Sequence, residues 1–446
     1  MTTAQLSPSS PWKEYEKVIF RFFFIYFFIQ AVPLDWKYYG QLFSINWLHL
    51  GFDDIFNLTR YSPQFFSGGQ SFANWAVVAI IAFSGTIIWS FLDKKHLEYN
   101  HLYYWIRVVL RYRLAIGVIA YGIIKFFPLQ SPEPSISNLN TNYGDLSAWK
   151  IFSLSLGIVP NYESFLGFVE VLAGLLLFYR RTATIGAFII VVFAGNVFMS
   201  NLAYEGGEYV YSFYLIAIAL YLLAYDALRL YNLIGLEKPT APNTYKPVIP
   251  VKFRTGKFIL KVGFIFFFVF LYGFKTYSSF KNGAYHYPQK QGIAGASGIY
   301  NVSEFRKNNQ DIPYSTTDSV RWKDVVFEEW NTISIRSKRS VKIDSSNTEE
   351  IYKDDQKRNY EFLGAAGRHY YSYEIDSVQQ TLILSNRNKN YSGEKLVLNY
   401  SRPNDSTFVL KGLNENKDSI AVVLNRINKK YLLKESAKGR SRGLEL

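Results

Sequence analysis

Cysteine is absent from all 446 residues. That excludes disulfides, thiol nucleophiles, iron–sulfur ligation by thiolates and covalent haem attachment through the chain's own side chains. Histidine is scarce, with His49, His96, His101, His286 and His369. His96 and His101 are the only close pair, and their spacing is not the i, i+4 pair of a His-Glu-x-x-His zinc helix. None of the five falls within a long apolar run, so a haem held by two membrane histidines has no support and no metal site is expected. A Walker loop, a Gly-x-Ser-x-Gly elbow and a dinucleotide fingerprint are missing as well. The neighbouring pairs Asp53-Asp54 and Asp354-Asp355 read as solvated acids, since adjacent residues rarely form an acid/base pair.

Charge is scarce in one part of the chain only. Positions 1–280 carry 37 Lys, Arg, Asp and Glu, whereas the much shorter 281–446 carries 47. The contrast separates an oily region from a wet one, and aromatic residues, 18% of the chain, enrich the whole. The net charge of +14 raises the question of nucleic acid. The basic residues of 1–280 lie mostly between apolar runs, where membrane proteins keep them on the cytoplasmic side. Positions 281–446 mix 27 basic with 20 acidic side chains, an ordinary surface, and no nucleic-acid partner is expected.

A bilayer core takes about 20 mostly apolar helical residues. Seven stretches qualify: Val18–Leu34, Ser71–Leu92, Tyr112–Phe127, Tyr162–Tyr179, Thr182–Leu202, Tyr209–Tyr225 and Phe258–Tyr277. The first lacks a small-residue cleavage site after it and reads as a retained span. In the last, Lys261 and Lys275 sit near the ends, where long side chains snorkel to the interfaces. One set of connections contains Lys94, Lys95, Arg107, Arg111, Arg180, Arg181, Arg229, Lys238, Lys246, Lys252, Arg254 and Lys257. The other contains Lys37, Arg60 and Lys150 with several acids. The basic set belongs in the cytoplasm. The N-terminus is then inside, and the region after the seventh span is outside, in the periplasm of a bacterial inner membrane.

The first outer connection, 35–69, carries Trp36, Tyr38, Tyr39, Trp47, Phe52 and Phe56 among polar residues. Two readings stand: segments lying in the outer leaflet interface, or a packed loop capping the helices. Arg107 and Arg111, four apart, share a helix face at the cytoplasmic boundary. Their main reading is topology and contact with anionic headgroups; binding of an anionic substrate is the lesser one.

From Arg111 to Leu230 three features recur in order. They are Tyr-Gly-x-x-Lys-x-Phe-Pro at Tyr121 to Pro128, Gly-x-x-Glu-x-x-x-Gly at Gly167 to Gly174, and Arg-Arg-Thr-x-x-x-Gly-Ala at Arg180 to Ala187. Asn196 and Asn201 follow. This stretch resembles the DoxX-like family of bacterial integral membrane proteins. The resemblance implies that spans three to six form a four-helix unit (111–235), preceded by two spans (1–110) and followed by one (236–280). It allows a link to membrane redox systems, and it carries over no established set of catalytic residues.

Ionisable side chains inside a bilayer are costly and usually face the protein interior. At ~1.5 Å per residue, Glu170 lies ~12 Å below Tyr162, and Asn196 ~9 Å below Leu202 on the antiparallel neighbour. Those depths place Glu170 and Asn196 within hydrogen-bonding reach. Lys125, near the outer end of its span, is closer in depth to Glu163, with Asn201 nearby. Such a cluster either binds helices together, at roughly a kcal/mol per interhelical bond, or lines a polar cavity for a quinone, lipid or proton. Gly167, Gly174 and Gly186 read as close-packing positions rather than ligand contacts.

Residues 278–297 read as a linker rich in Gly and polar residues. Alternating runs follow at Gly298–Phe305, Val320–Phe327, Thr332–Arg336, His369–Ile375, Gln380–Leu384, Lys395–Tyr400, Thr407–Leu410 and Ser419–Leu424. Turn signals separate most of them. Eight strands at this spacing give an all-β antiparallel barrel or sandwich over 281–446. Its interior is either hollow for an apolar ligand or filled, and the filled reading is preferred. Tyr300, Trp322, Trp330, Tyr371 and Tyr373 are candidates for the core or a pocket rim. The fold class is thus a polytopic α-helical membrane protein with an appended all-β domain. Two functions follow: a non-catalytic envelope component presenting that domain to a protein partner or ligand, or the membrane subunit of a quinone-linked redox system.

Overall fold

The computed structural model describes residues 12–66, 71–93, 95–241, 245, 247, 250–282, 286–344, 352 and 354–437. Lys94, Lys246 and part of the expected linker, 283–285, fall outside them. Apolar runs with few breakers produce helices from Glu14 to Asn282. These are α1 (Glu14–Ala31), α2 (Trp36–Ser44), α3 (Phe52–Thr59), α4 (Phe72–Leu92), α5 (Asn100–Phe126), α6 (Ile136–Leu139), α7 (Ala148–Gly157), α8 (Pro160–Leu177), α9 (Ala183–Ala203), α10 (Tyr209–Ala224), α11 (Ala227–Leu230), α12 (Arg254–Ile265) and α13 (Tyr272–Asn282). A π-helical turn, Phe266–Leu271, joins α12 to α13. The last of these helices therefore runs beyond Tyr277, into the expected linker.

All seven expected apolar stretches are helical. Among the described residues, the segments Glu14–Ser44, Phe72–Leu92, Ala183–Ala203 and Val251–Asn282 are long and apolar enough to cross a membrane; Tyr209–Ala224 with Ala227–Gly235, bent by 73°, is so only if the pair is one broken span and not a re-entrant loop. The other two stretches lie in α5 and α8, which are more polar. Helix α5 carries Arg107, Arg111, Arg113 and Lys125, and α8 carries Asn161, Glu163 and Glu170. The stretch Tyr112–Phe127 is the C-terminal part of a helix that begins at Asn100, so Arg107 and Arg111 sit inside it rather than in a loop.

The chain divides into two compact units. One holds residues up to 126, 165–202 and 208–278; the other holds 127–164, 203–207 and the residues from 279 on. In the helical unit glycines set the spacing. A Cβ on Gly167 would lie 2.2 Å from Phe126 N and 2.4 Å from Gly122 O, so α5 and α8 meet backbone to backbone. A Cβ on Gly186 would lie 2.7 Å from Ala173 O, which fixes α9 against α8 in the same way. The close-packing reading of these glycines is what the structure shows. In the connection 35–69, the capping reading holds for one helix and not for the other. Helix α3 is packed, with Ile55, Phe56, Leu58 and Thr59 buried, whereas no residue of α2 is buried and Trp36 is 77% exposed.

Among the described residues the second unit has nine strands: β1 (Gly298–Lys307), β2 (Gln310–Asp311), β3 (Asp324–Phe327), β4 (Thr332–Arg336), β5 (His369–Asp376), β6 (Thr381–Asn386), β7 (Lys395–Asn404), β8 (Thr407–Leu413) and β9 (Ser419–Arg426). Each pairs antiparallel with its neighbour, and β1 also pairs with β9, which closes eight strands into a barrel; the short β2 adds only a hairpin to the end of β1. Asn308 and Asn309 turn that hairpin with φ of 52° and 62°, a conformation asparagine tolerates. Each of the eight expected runs overlaps a strand of the closed barrel, because period-two alternation is a local property of the chain. Pro403 lies in β7 where its register with β8 shifts, between Ser401 and Asn404, a place that demands no ladder N–H.

Inward positions fill the barrel: Tyr300 and Phe305 from β1, Phe327 from β3, Tyr371 and Tyr373 from β5, Phe408 from β8 and Leu424 from β9, with Trp322 packed against Phe305 in the same cluster. Eight strands leave an interior that side chains can fill. The filled reading therefore describes this barrel. Trp330 is not part of that core: it stacks on Tyr287 at 4.4 Å.

Strands β3 and β4 break the alternation, since nearly every residue is buried on both faces. Their outer face is covered by the segment that links α5 to α8. Ser137 Oγ lies 2.7 Å from Ser334 Oγ, Asn138 Nδ2 donates to Glu361 O at 2.8 Å, and Leu146 bridges Ala365. Ser135 and Ser147 cap α6 and α7 by accepting from Asn138 N and Lys150 N.

Candidate functional site

In the helical unit Lys125 Nζ donates to Glu170 Oε1 at 2.6 Å. Both side chains are about nine-tenths buried. Depth alone pairs Glu170 with Asn196 and Lys125 with Glu163, and the structure rearranges both pairs. Gly122 and Gly167 bring α5 and α8 into contact one turn from Glu170, and the four-carbon Lys125 stem spans that turn. Glu163 lies in the second unit, where it accepts from Gln130 N at 3.1 Å and Ser131 N at 3.2 Å. Asn196 is exposed, and its Oδ1 takes a bond from Ser200 Oγ on its own helix. Asn201 Nδ2 donates to Val197 O, and its Oδ1 accepts from Glu208 N. Depth along a helix does not fix which face a residue occupies.

Sequence reasoning misses two further charged centres of this unit. Arg113 is buried on α5 and donates to Thr59 O at 2.6 Å, to Tyr61 O and to Tyr214 Oη at 3.1 Å. It thereby places a cation on the carbonyl end of α3, where a helix leaves acceptors unpaired. Arg60 pairs with Glu208, whose other oxygen accepts from Tyr121 Oη at 3.0 Å. A signal for Arg113 is present in the sequence. It follows Arg111 by two residues, so it points to the far side of the helix and cannot share a headgroup-facing stripe. Nothing local marks Arg60 and Glu208, 148 residues apart. Of the two expected boundary arginines, Arg107 stacks its guanidinium 3.3 Å from the centre of the Tyr225 ring.

The second unit holds its own polar core where residues 127–164 cover the barrel. Glu328 accepts from Ser137 N at 2.7 Å and Ile136 N at 3.2 Å, the free N–H groups that open α6. Burial, and then the neighbouring Glu361, pushes its carboxyl up to about 7. Glu361 pairs with Arg387 and accepts from Trp330 Nε1 at 2.8 Å. Arg387 also donates to Thr332 Oγ1 at 3.0 Å and to Arg358 O. Lys150 donates to Tyr360 O, and its Nζ lies 3.6 Å from the centre of the same residue's ring. Burial holds the Lys150 ammonium down to about 7, against the pull of Glu361. His286 meets Leu129 O, and burial lowers its imidazole to about 3. Burial also lowers His369, to about 4, with Arg339 adding to the effect.

Most of these buried groups are matched to each other or to backbone, which is the chemistry of a structural core; His369 Nε2 and Arg387 Nε are buried with no hydrogen-bond partner among the described residues. Among the described residues no three His, Asp or Glu side chains are placed to hold a metal ion. Fold and site together define a protein with a helical region containing several helices apolar enough to cross a membrane, joined to a C-terminal antiparallel β-barrel with a filled core. No family model, no curated protein and no solved structure matches the chain.

Proposed function

We propose that the chain is an integral inner-membrane protein of the DoxX-like type. It crosses the bilayer seven times, with its N-terminus in the cytoplasm. It acts as a non-catalytic envelope component that presents a periplasmic β-barrel to a protein partner. The observation that carries this reading is the membership of the second unit. Residues 127–164, 203–207 and 279 onward form one compact body. Loop charge supports a common side for all three, opposite the basic connections. Segments that fold together lie on one side of any membrane, so the chain crosses an even number of times between residue 127 and the barrel, and the three apolar stretches before residue 127 then make the total odd. The apolar cluster that fills the barrel and the mutual pairing of Glu361 with Arg387 favour docking over ligand carriage or catalysis.

The absence of cysteine makes the test direct. Single cysteines are placed at Asn416, in the β8–β9 turn, and at Lys257, in the first turn of α12, and intact spheroplasts are treated with a membrane-impermeant maleimide. Asn416→Cys is expected to react and Lys257→Cys to stay protected until lysis. The reverse pattern, or equal labelling, removes the seven-span reading. Purification in mild detergent then reads out the role, since a stable envelope-protein partner lost on deleting 286–437 is the expected result.

A second reading rests on Glu170, whose Oε2 is buried without a hydrogen-bond partner. A quinone-linked subunit would use that oxygen toward a bound quinone. Co-purified quinone that disappears in Glu170→Ala supports this alternative, and cofactor-free protein rejects it.

A further inference from the structure

The end of the helical unit opposite Lys125 gathers cations in excess of acids. Arg107 and Arg111 lie one turn apart on α5, a spacing at which like charges repel. Arg180, in the turn between α8 and α9, lies within electrostatic range of both, and Lys261 of α12 lies within range of Arg111. Arg180 is held in place by Tyr245 O at 2.7 Å, and Lys261 by Phe178 O, past the end of α8, at 3.1 Å. Among the described residues, the carboxylate that acts on this group is Asp226, which sits beside Arg107 and is engaged by Thr184 Oγ1 at 2.9 Å. The Nε atoms of Arg107 and Arg111 are sealed from solvent with no hydrogen-bond partner among the described residues. A sealed guanidinium N–H without an acceptor leaves that charge uncompensated at a cost, and arginines present forked donors that suit tetrahedral oxyanions.

We propose that Arg107, Arg111, Arg180 and Lys261 form a binding site for a phosphate group. The terminal guanidinium nitrogens of Arg111 and Arg180 meet the phosphate oxygens, and Arg107, braced on Tyr225, and Lys261 add charge. The phosphate belongs either to the headgroup of an anionic lipid or to a free phosphate ion, and both present the same oxygens to the site. This goes beyond headgroup contact by two exposed arginines, because it requires three separate chain segments to converge on one anion.

The test uses the full chain in mild detergent. Phosphatidylglycerol and phosphatidylcholine are added in turn and retained lipid is counted by native mass spectrometry, while inorganic phosphate is titrated by calorimetry. Retention of phosphatidylglycerol at least about tenfold above phosphatidylcholine assigns the lipid source. Saturable phosphate binding without lipid preference assigns the free ion. Arg111→Gln and Arg180→Gln should each weaken whichever binding is found by about tenfold, the loss expected for one charged hydrogen bond. Lys434→Gln, on the barrel unit's C-terminal helix Leu432–Ala437, removes one positive charge elsewhere and should change nothing. Wild-type protein with neither preference nor phosphate binding overturns the proposal without any variant, and so does an equal loss in Lys434→Gln.

Discussion

In the helical unit Lys125 and Glu170 have essentially each other. In the barrel unit Glu361 and Arg387 stand inside a network with Trp330, Thr332 and the Arg358 carbonyl. The two units differ in their apolar surfaces in the same sense. Helices α4 and α9 expose Phe83, Phe91, Phe188 and Val192 at 60% or more, whereas the barrel strands turn their aromatics inward. The difference teaches where each unit gets its stability. A barrel in water must bury its own apolar surface and satisfy each polar group it covers. A helical unit with apolar sides gains little from sequestering them and relies on close contact at small residues and on a few interhelical polar pairs.

The largest expected effect lies in the network. Arg387→Ala leaves Glu361 charged and buried, and the barrel unit should lose about 3–5 kcal/mol. The double replacement Glu361→Leu with Arg387→Met should recover little, because Trp330 Nε1 and the Arg358 carbonyl then lose their partners. Denaturation of the full chain in detergent, followed by hydrogen exchange in β4 and β5, reads this out. Full recovery would show that the pair is isolated after all.

The helical pair should behave in the opposite way. Lys125→Ala is expected to cost about 3 kcal/mol, since Glu170 is left alone. Lys125→Met combined with Glu170→Leu should return to near wild type, as two isolated buried charges are replaced by apolar groups of similar size. Exchange protection in α5 and α8 is the measurement, and a double variant as weak as the single one would place Lys125 and Glu170 in a wider network or a functional site.

A smaller effect is expected at the glycines. Gly167→Ala forces a methyl against Phe126 N and Gly122 O, which are backbone and cannot step aside. A loss of about 1–3 kcal/mol, the usual cost of overpacking, should appear as a lower unfolding temperature. Gly393→Ala in the barrel unit meets nothing within 4 Å and serves as the unaffected counterpart.

The same contrast explains what can be read from the residues. Strand positions come from alternation, a property of a few neighbours, and the run Thr332–Arg336 matches its strand to the residue. The helices over the seven apolar stretches follow in the same way, whereas α2, α3, α6 and α7 lie outside those stretches. The partners of buried charges do not. Lys125 pairs with Glu170 because two glycines, distant in sequence, let α5 and α8 touch at one level. Asn196 has a suitable depth but faces outward. The capture of Glu163 by the Gln130 and Ser131 amides depends on how residues 127–164 fold with the barrel. The local hint is the apolar character of both faces of β3, which implies a cover but not its identity.

The smallest effect tests that cover. Glu328 closes the N-terminus of α6, and its carboxyl is raised from the ordinary 4.5 to about 7 because burial and Glu361 disfavour its charge. A raised folded value means the folded state binds the proton more tightly. The stabilisation from that proton is complete below about 4.5 and is lost as pH rises through about 7. Glu328→Gln removes the proton from the balance but keeps one acceptor for the α6 amides. At pH 8 two terms oppose each other: relief of a buried negative charge beside Glu361, and loss of one hydrogen bond worth about 1–2 kcal/mol. The variant should therefore be more stable than wild type at pH 8 by only about 1 kcal/mol, and less stable at pH 4.5, where the wild-type carboxyl is neutral and can use both oxygens. The crossing of the two stability curves between pH 4.5 and 8 is the signature, read in detergent with the histidines left in place so that their contribution cancels. Parallel curves would mean that Glu328 stays ionised throughout. The cover over β3 and β4 would then rest on a charged helix cap and not on a protonated carboxyl.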